Sequence, residues 1–222
     1  MKDESYLPSE MSLPDDDYFT AFILHYQQLM VLYESAIRCV TMRLGIMENE
    51  AKVSGKHNPI RSFSSRIKAP LSITRKLQKK GLPPTTKSIV EKLNDIAGVR
   101  IICEYVHDVY VIRDALLADQ FMNLLEEKDY IKNPKPNGYR SLHLIVEVPV
   151  PFQSGIQKVK CELQLRTTAM DSWAALEHSL RYKKDSLQNP QIDDDLEYCA
   201  ALLCVTDFKM QKIAQELGTF DN

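Results

Sequence analysis

The fold of this protein is decided by the stretch Val159-Lys160-Cys161-Glu162-Leu163-Gln164-Leu165-Arg166, in which apolar and polar residues alternate. Side chains point to opposite faces along a β-strand, so the stretch predicts a strand with one apolar and one polar face. We expect its apolar residues to enter a core. The opposite face then presents Glu162, Gln164 and Arg166 in a row. A solvated polar face is common in antiparallel sheets, so this strand alone does not establish a site.

The rest of the chain alternates between short strands and helices. Two further strands are predicted over Arg140–Val148, from its alternation, and over Val99–Tyr105, from its β-branched residues. Apolar residues at three- and four-residue spacing predict the helices. These helices cover residues 18–50, 71–80, 88–93, 108–117, 168–183 and 193–217. The pattern favours an α+β fold with a mixed or mostly antiparallel sheet flanked by helices.

Composition narrows the class of protein. The chain has 222 residues, of which 44% are hydrophobic, which suffices for one domain with a full core. Its formal net charge of -2 argues against a protein that mainly coats nucleic acid. No apolar run is long enough to span a bilayer, and the acidic residues 1–17 resemble a flexible tail rather than a signal peptide. We therefore expect a cytoplasmic protein.

Two acidic residues are candidates for a metal site. Asp95 directly precedes the strand that includes Val99, and Glu162 lies on the polar face of the alternating strand. One or two carboxylates together with phosphate oxygens suit Mg²⁺. Asp95 would also serve as an ordinary turn residue, and only the fold decides whether the two side chains meet.

Basic residues are concentrated in two stretches that would suit a polyphosphate. The first includes Arg66 and Lys68 and continues into the helix after Pro70, where Ser72 and Lys76 share a face. The start of that helix also offers free backbone N–H groups. The second stretch contains the lysines before Tyr139, an aromatic ring that could stack on a base. A basic helix exposed to solvent, or one that binds RNA, is the alternative interpretation.

Four stretches in this order resemble the synthetase domain of the RelA/SpoT-homology family, and in particular its stand-alone small alarmone synthetases. The first is Arg66-Ile67-Lys68 followed by Ser72. The second is Asp95-Ile96-Ala97-Gly98-Val99-Arg100, and the third is Asn137-Gly138-Tyr139-Arg140-Ser141-Leu142-His143. The fourth is Glu162-Leu163-Gln164-Leu165-Arg166-Thr167 with the helix that follows it. Each stretch is modest alone, but together they are highly specific.

The resemblance implies a role for individual positions. It implies an ATP site formed by Arg66, Lys68, Ser72, Lys76 and Arg100, with the two arginines on either side of the adenine. It implies a GDP or GTP site formed by Lys128, Lys135, Tyr139, His143, Gln164 and Asp171. Asp95 and Glu162 would be the catalytic residues and the ligands of Mg²⁺, and Glu162 would otherwise act as the base for the 3′-hydroxyl.

The same resemblance implies a nucleotidyltransferase-like synthetase domain over residues 18–222, with its catalytic core over residues 64–183 and C-terminal helices over residues 190–218. The expected reaction moves pyrophosphate from ATP to the 3′-hydroxyl of GDP or GTP, in stringent-response signalling. The small members of the family often form tetramers, so we expect a homotetramer.

Two alternatives to this function remain open. In the first, the chain acts as a toxic relative that pyrophosphorylates tRNA 3′-ends or adenosine nucleotides. In the second, it is a non-catalytic regulator that binds nucleotides or RNA.

Overall fold

The alternating stretch forms the middle strand of a five-stranded sheet in a computed structural model, which describes residues 15–118, 121–182 and 190–220. The first fourteen residues of the predicted tail lie outside the described residues, whereas Asp15 to Asp17 already belong to a helix. Among the described residues, no helix is both long and apolar enough to cross a membrane.

Five strands and six helices make up the described part of the chain. The strands are β1 (Ser62–Ile67), β2 (Ala97–Cys103), β3 (Asn123–Asp129), β4 (Leu142–Phe152) and β5 (Gly155–Thr167). The helices are α1 (Asp15–Ser54), α2 (Pro70–Lys79), α3 (Thr86–Lys92), α4 (Val106–Ala118), α5 (Thr168–Tyr182) and α6 (Pro190–Glu216).

The strand order β1-β2-β5-β4-β3 makes the sheet mixed. β2 and β5 are parallel, and every other neighbouring pair is antiparallel. This arrangement confirms the predicted α+β class. It also places β5 between β2 and β4, so that a polar residue on β5 has neighbours from two other segments of the chain.

One face of the sheet carries the hydrophobic core. Alternate residues of β5, from Val159 to Leu165, are buried and join a single cluster with side chains of α1 and α4. In α1 the buried residues Tyr33, Ala36, Val40 and Leu44 repeat at three- and four-residue spacing, as expected for a helix that lies on a sheet. The opposite face of the sheet is therefore left for polar residues.

Three local predictions differ from the structure. The two edge strands, β1 and β3, were not predicted, because their residues alternate poorly and none of them is buried. Arg140 precedes β4 instead of opening it, and β4 continues beyond Val148 to Phe152. In α5, whose predicted last residue Lys183 lies outside the described residues, Leu176 and Leu180 are exposed although they share the apolar face of Trp173.

Candidate functional site

A row of polar side chains crosses all five strands on the face of the sheet opposite the core. Directly paired residues point to the same face, and the pairs link Ser64 to Arg100, Arg100 to Gln164, Gln164 to His143 and His143 to Lys128. A second row pairs Arg66 with Gly98 and Gly98 with Glu162. The register of the sheet thus brings together residues that are far apart in sequence.

The members of these rows on β1, β2 and β5 form one wall of a cleft of about 250 Å³, whereas His143 and Lys128 lie outside its lining. Its lining residues are Ser64, Ser65, Arg66, Asp95, Gly98, Val99, Arg100, Glu162 and Gln164. The two candidate catalytic carboxylates and the two candidate adenine-binding arginines therefore face a common space. Gly98 leaves room on its strand between Arg66 and Glu162, because no side chain projects there.

Asp95 is held at the cleft by two lysines. Its Oδ2 atom accepts hydrogen bonds from Nζ of Lys68 at 2.7 Å and from Nζ of Lys76 at 2.6 Å. Burial by itself raises the pKa of Asp95, but these bonds and charges outweigh it and hold the pKa below its ordinary value. The carboxylate is therefore ionised at neutral pH.

Glu162 belongs to a chain of hydrogen bonds that passes through His143. His143 Nδ1 lies 3.3 Å from Oε1 of Glu162, and His143 Nε2 lies 2.8 Å from the hydroxyl of Tyr139. Gln164 donates to the other carboxylate oxygen of Glu162 at 2.9 Å. Burial raises the pKa of Glu162, but the contacts with His143 and Gln164 lower it to a net value below the ordinary one.

Arg166 links several polar side chains beside Tyr139, and the sequence assigned it no role. Its Nη2 atom donates to the Tyr139 hydroxyl at 2.6 Å and to Oε1 of Gln164 at 3.1 Å, and its Nη1 atom donates to Oδ1 of Asp171 at 3.1 Å. Since the Tyr139 hydroxyl accepts from Arg166, its proton is free to donate to Nε2 of His143. His143 then carries its own proton on Nδ1, toward Glu162.

The ring of Tyr139 lies among other aromatic and basic groups. Nζ of Lys135 sits 4.7 Å from the ring centroid of Tyr139 and 4.6 Å from that of Tyr130. Trp173 approaches the ring of Tyr139 with a centroid separation of 6.4 Å. The ammonium group over the π-face shows that this face of the ring is open to a partner, and a flat base could stack there in its place.

Asp171 connects Arg100 of β2 with Arg166 of β5. Its Oδ1 atom lies 3.3 Å from Nη1 of Arg100 and also accepts the hydrogen bond from Arg166. Burial lowers the pKa of Arg100, and the nearby charges of Arg166 and Arg66 lower it further. The three guanidinium groups are thus close enough to repel one another, and Asp171 offsets part of that repulsion.

Two of the predicted site residues lie at the margin of the site. Ser72 is exposed in the first turn of α2 and is not among the residues that line the cleft. Lys128 occupies the polar row on β3, but its Nζ atom pairs with Oε2 of Glu126 at 3.1 Å. Sequence reasoning in turn missed Ser64, Ser65 and Arg166. Of these, Arg166 had a signal, since it falls on the polar face of the alternating strand.

The donor set fits a magnesium ion that is shared with substrate phosphates. In the described residues, no group of three or more His, Cys, Asp or Glu side chains is arranged to hold a metal ion. Two carboxylates at one cleft are nevertheless the set that Mg²⁺ uses when phosphate and water supply its other ligands. Oδ1 of Asp95 is buried and has no hydrogen-bond partner among the described residues, so one oxygen of the correct type remains free.

Comparison with known proteins agrees with this geometry. The family model described as "region found in RelA / SpoT proteins" matches residues 65–187, which is more than half of the chain. GTP pyrophosphokinase YwaC of Bacillus subtilis is 38% identical over 94% of this chain and 99% of its own length. GTP pyrophosphokinase YjbM of the same organism is 35% identical over 71% of this chain and 74% of its own.

Solved structures of relatives have the same fold. Small alarmone synthetase 1 from Bacillus subtilis, bound to its product pppGpp, superposes with a TM-score of 0.81 at 31% identity and covers 87% of this chain and 98% of its own. Small alarmone synthetase 2 from the same organism gives a TM-score of 0.79 at 38% identity, with coverage of 86% and 99%. This chain therefore belongs to the RelA/SpoT family, among its small alarmone synthetases.

Proposed function

We infer that the protein is a GTP pyrophosphokinase, which transfers pyrophosphate from ATP to the 3′-hydroxyl of GDP or GTP and releases AMP. The observation that carries this inference is the cleft that Asp95 and Glu162 share with Arg66 and Arg100. A polyphosphate donor needs positive charge and a metal-binding carboxylate in one place, and an attacking hydroxyl needs a second carboxylate beside them. One relative that bears the name GTP pyrophosphokinase matches 94% of this chain, and another matches 71%.

The donor half is formed by β1, β2 and α2. We assign the adenine to the space between Arg66 and Arg100, because planar guanidinium groups stack on aromatic rings. Lys68 and Lys76 would bind the phosphates of ATP, and in doing so they would exchange Asp95 for phosphate oxygens. Ser72 would donate its hydroxyl from the exposed first turn of α2, where the backbone N–H groups of Ser72 and Ile73 already bond to the carbonyl of Ala69.

Asp95 and Glu162 would hold Mg²⁺ between the two nucleotides. When bound, the ion supplies positive charge to the phosphate oxygens of ATP. Exchange of Lys68 and Lys76 for phosphate would free Oδ2 of Asp95, and Oδ1 has no partner among the described residues. Because the pKa values of both carboxylates lie below their ordinary values, both are ready to bind a cation at neutral pH.

The acceptor half is formed by β4, β5 and α5. We assign the guanine to the ring of Tyr139, with Asp171 at its polar edge. Lys135 now lies over that ring, so a stacked base would displace its ammonium group toward the acceptor phosphates. The remaining acceptor contacts, to ribose and phosphates, we assign to Lys128, His143 and Gln164.

Chemistry follows from alignment of the two halves. The 3′-oxygen forms a bond to the β-phosphorus of ATP, and the bond from that phosphorus to the oxygen of AMP breaks. In its alternative role as the base, Glu162 is not a metal ligand: its carboxylate accepts the hydroxyl proton, while His143 donates to Oε1 and keeps the group oriented. A correctly placed base of this kind contributes roughly a hundredfold or more to the rate.

Incubation with ATP labelled in its terminal phosphates tests the function directly. With Mg²⁺ and GDP or GTP, the label is expected in guanosine 3′-pyrophosphates, with AMP formed in equal amount. Glu162→Gln should remove turnover but keep nucleotide binding, and Glu216→Ala on the exposed surface of α6 is the matched control. If the parent protein forms no labelled product, the proposed enzyme activity is wrong.

The alternative acceptors are separated in the same assay. GDP, GTP, ATP and tRNA are offered side by side with labelled ATP. Label in tRNA or in adenosine products alone would indicate the toxic class of relative. Binding of nucleotide or RNA without any labelled product would indicate a non-catalytic regulator.

We also propose three properties of the whole protein, which the family resemblance implies. These are one synthetase domain over residues 18–222, a cytoplasmic location and a homotetramer. In support of the last, α6 exposes several large apolar side chains along one side, among them Tyr198, Leu202 and Val205. Size-exclusion chromatography with light scattering measures the mass of the assembly.

A further inference from the structure

The last helix, α6, packs against the acceptor half although it lies outside the residues that match the family model. The residues of α6 that contact that half include Leu196, Ala200 and Asp207. Their separations of four and seven residues place them on one face of a helix. That face is therefore the part of α6 whose contacts can influence the acceptor site.

Asp207 is a buried carboxylate that joins two segments of the chain. Its Oδ2 atom accepts a hydrogen bond from Oγ1 of Thr167 at 2.8 Å and from Nη2 of Arg140 at 3.3 Å. All three side chains are shielded from solvent. Contacts between charged groups in such surroundings are strong and intolerant of a lost partner.

Both partners of Asp207 adjoin residues of the acceptor site. Arg140 directly follows Tyr139, and Thr167 directly follows Arg166, the residue that donates to the hydroxyl of Tyr139. Oγ1 of Thr167 also accepts the N–H of Met170 at 3.2 Å, which caps the start of α5. Asp207 thus ties the backbone on either side of the acceptor pocket to α6.

Two further contacts of α6 act on the same ring. Gly138 has a φ of 81°, and a Cβ placed on it would lie 2.5 Å from Cβ of Ala200, so the turn before Tyr139 rests on α6. Nε1 of Trp173 donates to the carbonyl of Leu196 at 2.9 Å, and its ring approaches that of Tyr139.

We propose that Asp207 is a positioning residue for the acceptor nucleotide, which acts from α6 by fixing Tyr139 and Arg166 through Arg140 and Thr167. The proposal rests on the proposed function, because that function assigns the acceptor to Tyr139. In the described residues, the side-chain hydrogen bonds of Asp207, Arg140 and Thr167 do not reach the donor half, which meets them only where Cys103 of β2 pairs with Thr167. Loss of Asp207 should therefore weaken the acceptor site selectively.

Steady-state kinetics of Asp207→Ala test this selectivity. GDP is varied at saturating ATP, and ATP is then varied at saturating GDP. We expect KM for GDP to rise at least tenfold while KM for ATP stays within about twofold of the parent value. Glu216→Ala, an acidic residue of α6 in an exposed ion pair, should leave both constants unchanged. Equal rises in both KM values, or an unchanged KM for GDP, would refute the proposal.

Asp207→Asn keeps the test decisive if the alanine variant does not fold. Its amide oxygen still accepts from Thr167, but Arg140 loses its counter-charge. We expect KM for GDP to rise about threefold, between the parent and alanine values, with KM for ATP unchanged. An asparagine variant with the parent KM for GDP would contradict the role of the carboxylate.

A binding measurement separates this proposal from the proposed function. Trp173 is the only tryptophan in the sequence, so its fluorescence reports on the ring beside Tyr139. Titration with GDP should give a Kd for Asp207→Ala at least tenfold above that of the parent protein. If the parent makes no labelled product yet binds GDP with this difference, the function is wrong and the positioning role stands. Equal Kd values for parent and variant would refute the positioning role whatever the activity.

Discussion

The imidazole of His143 lies against the carboxylate of Glu162, with its Nδ1 atom 3.3 Å from Oε1. Burial raises the pKa of Glu162, whereas the hydrogen bond and charge of His143 lower it, and the lowering contacts prevail. His143 also meets the hydroxyl of Tyr139, so one side chain joins the proposed base to the proposed stacking ring. This relationship predicts how the rate depends on pH.

His143→Ala should raise the pKa of Glu162, because a lowering contact is removed and burial remains. The rate requires the ionised carboxylate, so the acidic limb of the profile of kcat/KM against pH should move to higher pH. The measurement compares profiles of parent and variant between about pH 4 and pH 9, a range set by the ordinary pKa values of Glu and His. His107→Ala, outside the cleft, is the control, and an acidic limb that stays in place would contradict the assigned contact.

Asp95 should make the folded state more stable above its ordinary pKa than below it. Its folded pKa is lowered, so the stability it contributes is present above the unfolded pKa of about 3.8 and is lost as pH falls through the folded pKa. Asp95→Asn removes the titrating group, so the plot of unfolding free energy against pH should be flatter below about pH 4 than that of the parent protein. Urea unfolding at a series of pH values measures it. A variant curve as steep as that of the parent would show that Lys68 and Lys76 do not stabilise the ionised carboxylate.

Gly138→Ala should disturb the acceptor site by a close contact as well as by backbone strain. The new Cβ would lie 2.5 Å from that of Ala200, at a φ of 81° that costs a non-glycine residue roughly 1–2 kcal/mol. Gly81→Ala is the matched control, since Gly81 has a φ of 66° and no atom within 4 Å of an added Cβ. We expect a rise of at least fivefold in KM for GDP from the change at Gly138 and none from the change at Gly81. If both changes raised KM for GDP equally, the effect would come from backbone strain alone and not from the contact with Ala200.

Leu44→Ala should lower stability without altering the site. Leu44 is completely buried between α1 and the sheet, so truncation leaves a cavity and should reduce the free energy of unfolding by about 2–5 kcal/mol. Met42→Ala, two residues earlier and exposed on the same helix, should change it by less than about 0.5 kcal/mol. Urea denaturation measures both variants, with KM for ATP and GDP as a check. A stability loss near zero for the leucine variant would place α1 outside the core.

The sequence predicted most of the elements whose residues alternate or repeat strongly. The apolar face of β5, the stripe of α1 and the helix after Pro70 all occur in the structure within a few residues of their expected bounds. β1 and β3 were missed because an exposed edge strand needs little apolar pattern, and their places are set by pairing with β2 and β4. Leu176 and Leu180 were expected on a buried face of α5 but are exposed. An apolar stripe predicts which side of a helix is buried, but it does not show how far along the helix other elements cover that side.

Individual site residues could be predicted only where they belong to a recognisable sequence motif. Asp95, Glu162 and Tyr139 were named from such motifs, and their catalytic and binding roles stay predictions. Two of the four side-chain partners of Arg166, Ser141 and Tyr139, are 25 and 27 residues away in the sequence, a separation that no local spacing reveals. Asp207 was not expected at all, because a single acidic residue in a helical pattern resembles any solvated one.

By itself, then, the sequence determined the class of fold, the polar face of the middle strand and the family to which its motifs point. Each of these depends on the spacing of residue types over a short stretch of chain. Side-chain alternation in strands and periodicity in helices relate that spacing directly to local structure. Only the tertiary structure decided that Asp95 and Glu162 share a cleft, that His143 lies between Glu162 and Tyr139, and that α6 reaches the acceptor half. Those contacts depend on strand partners, register and helix docking between distant segments, which are settled by burial over the whole core rather than by any local pattern.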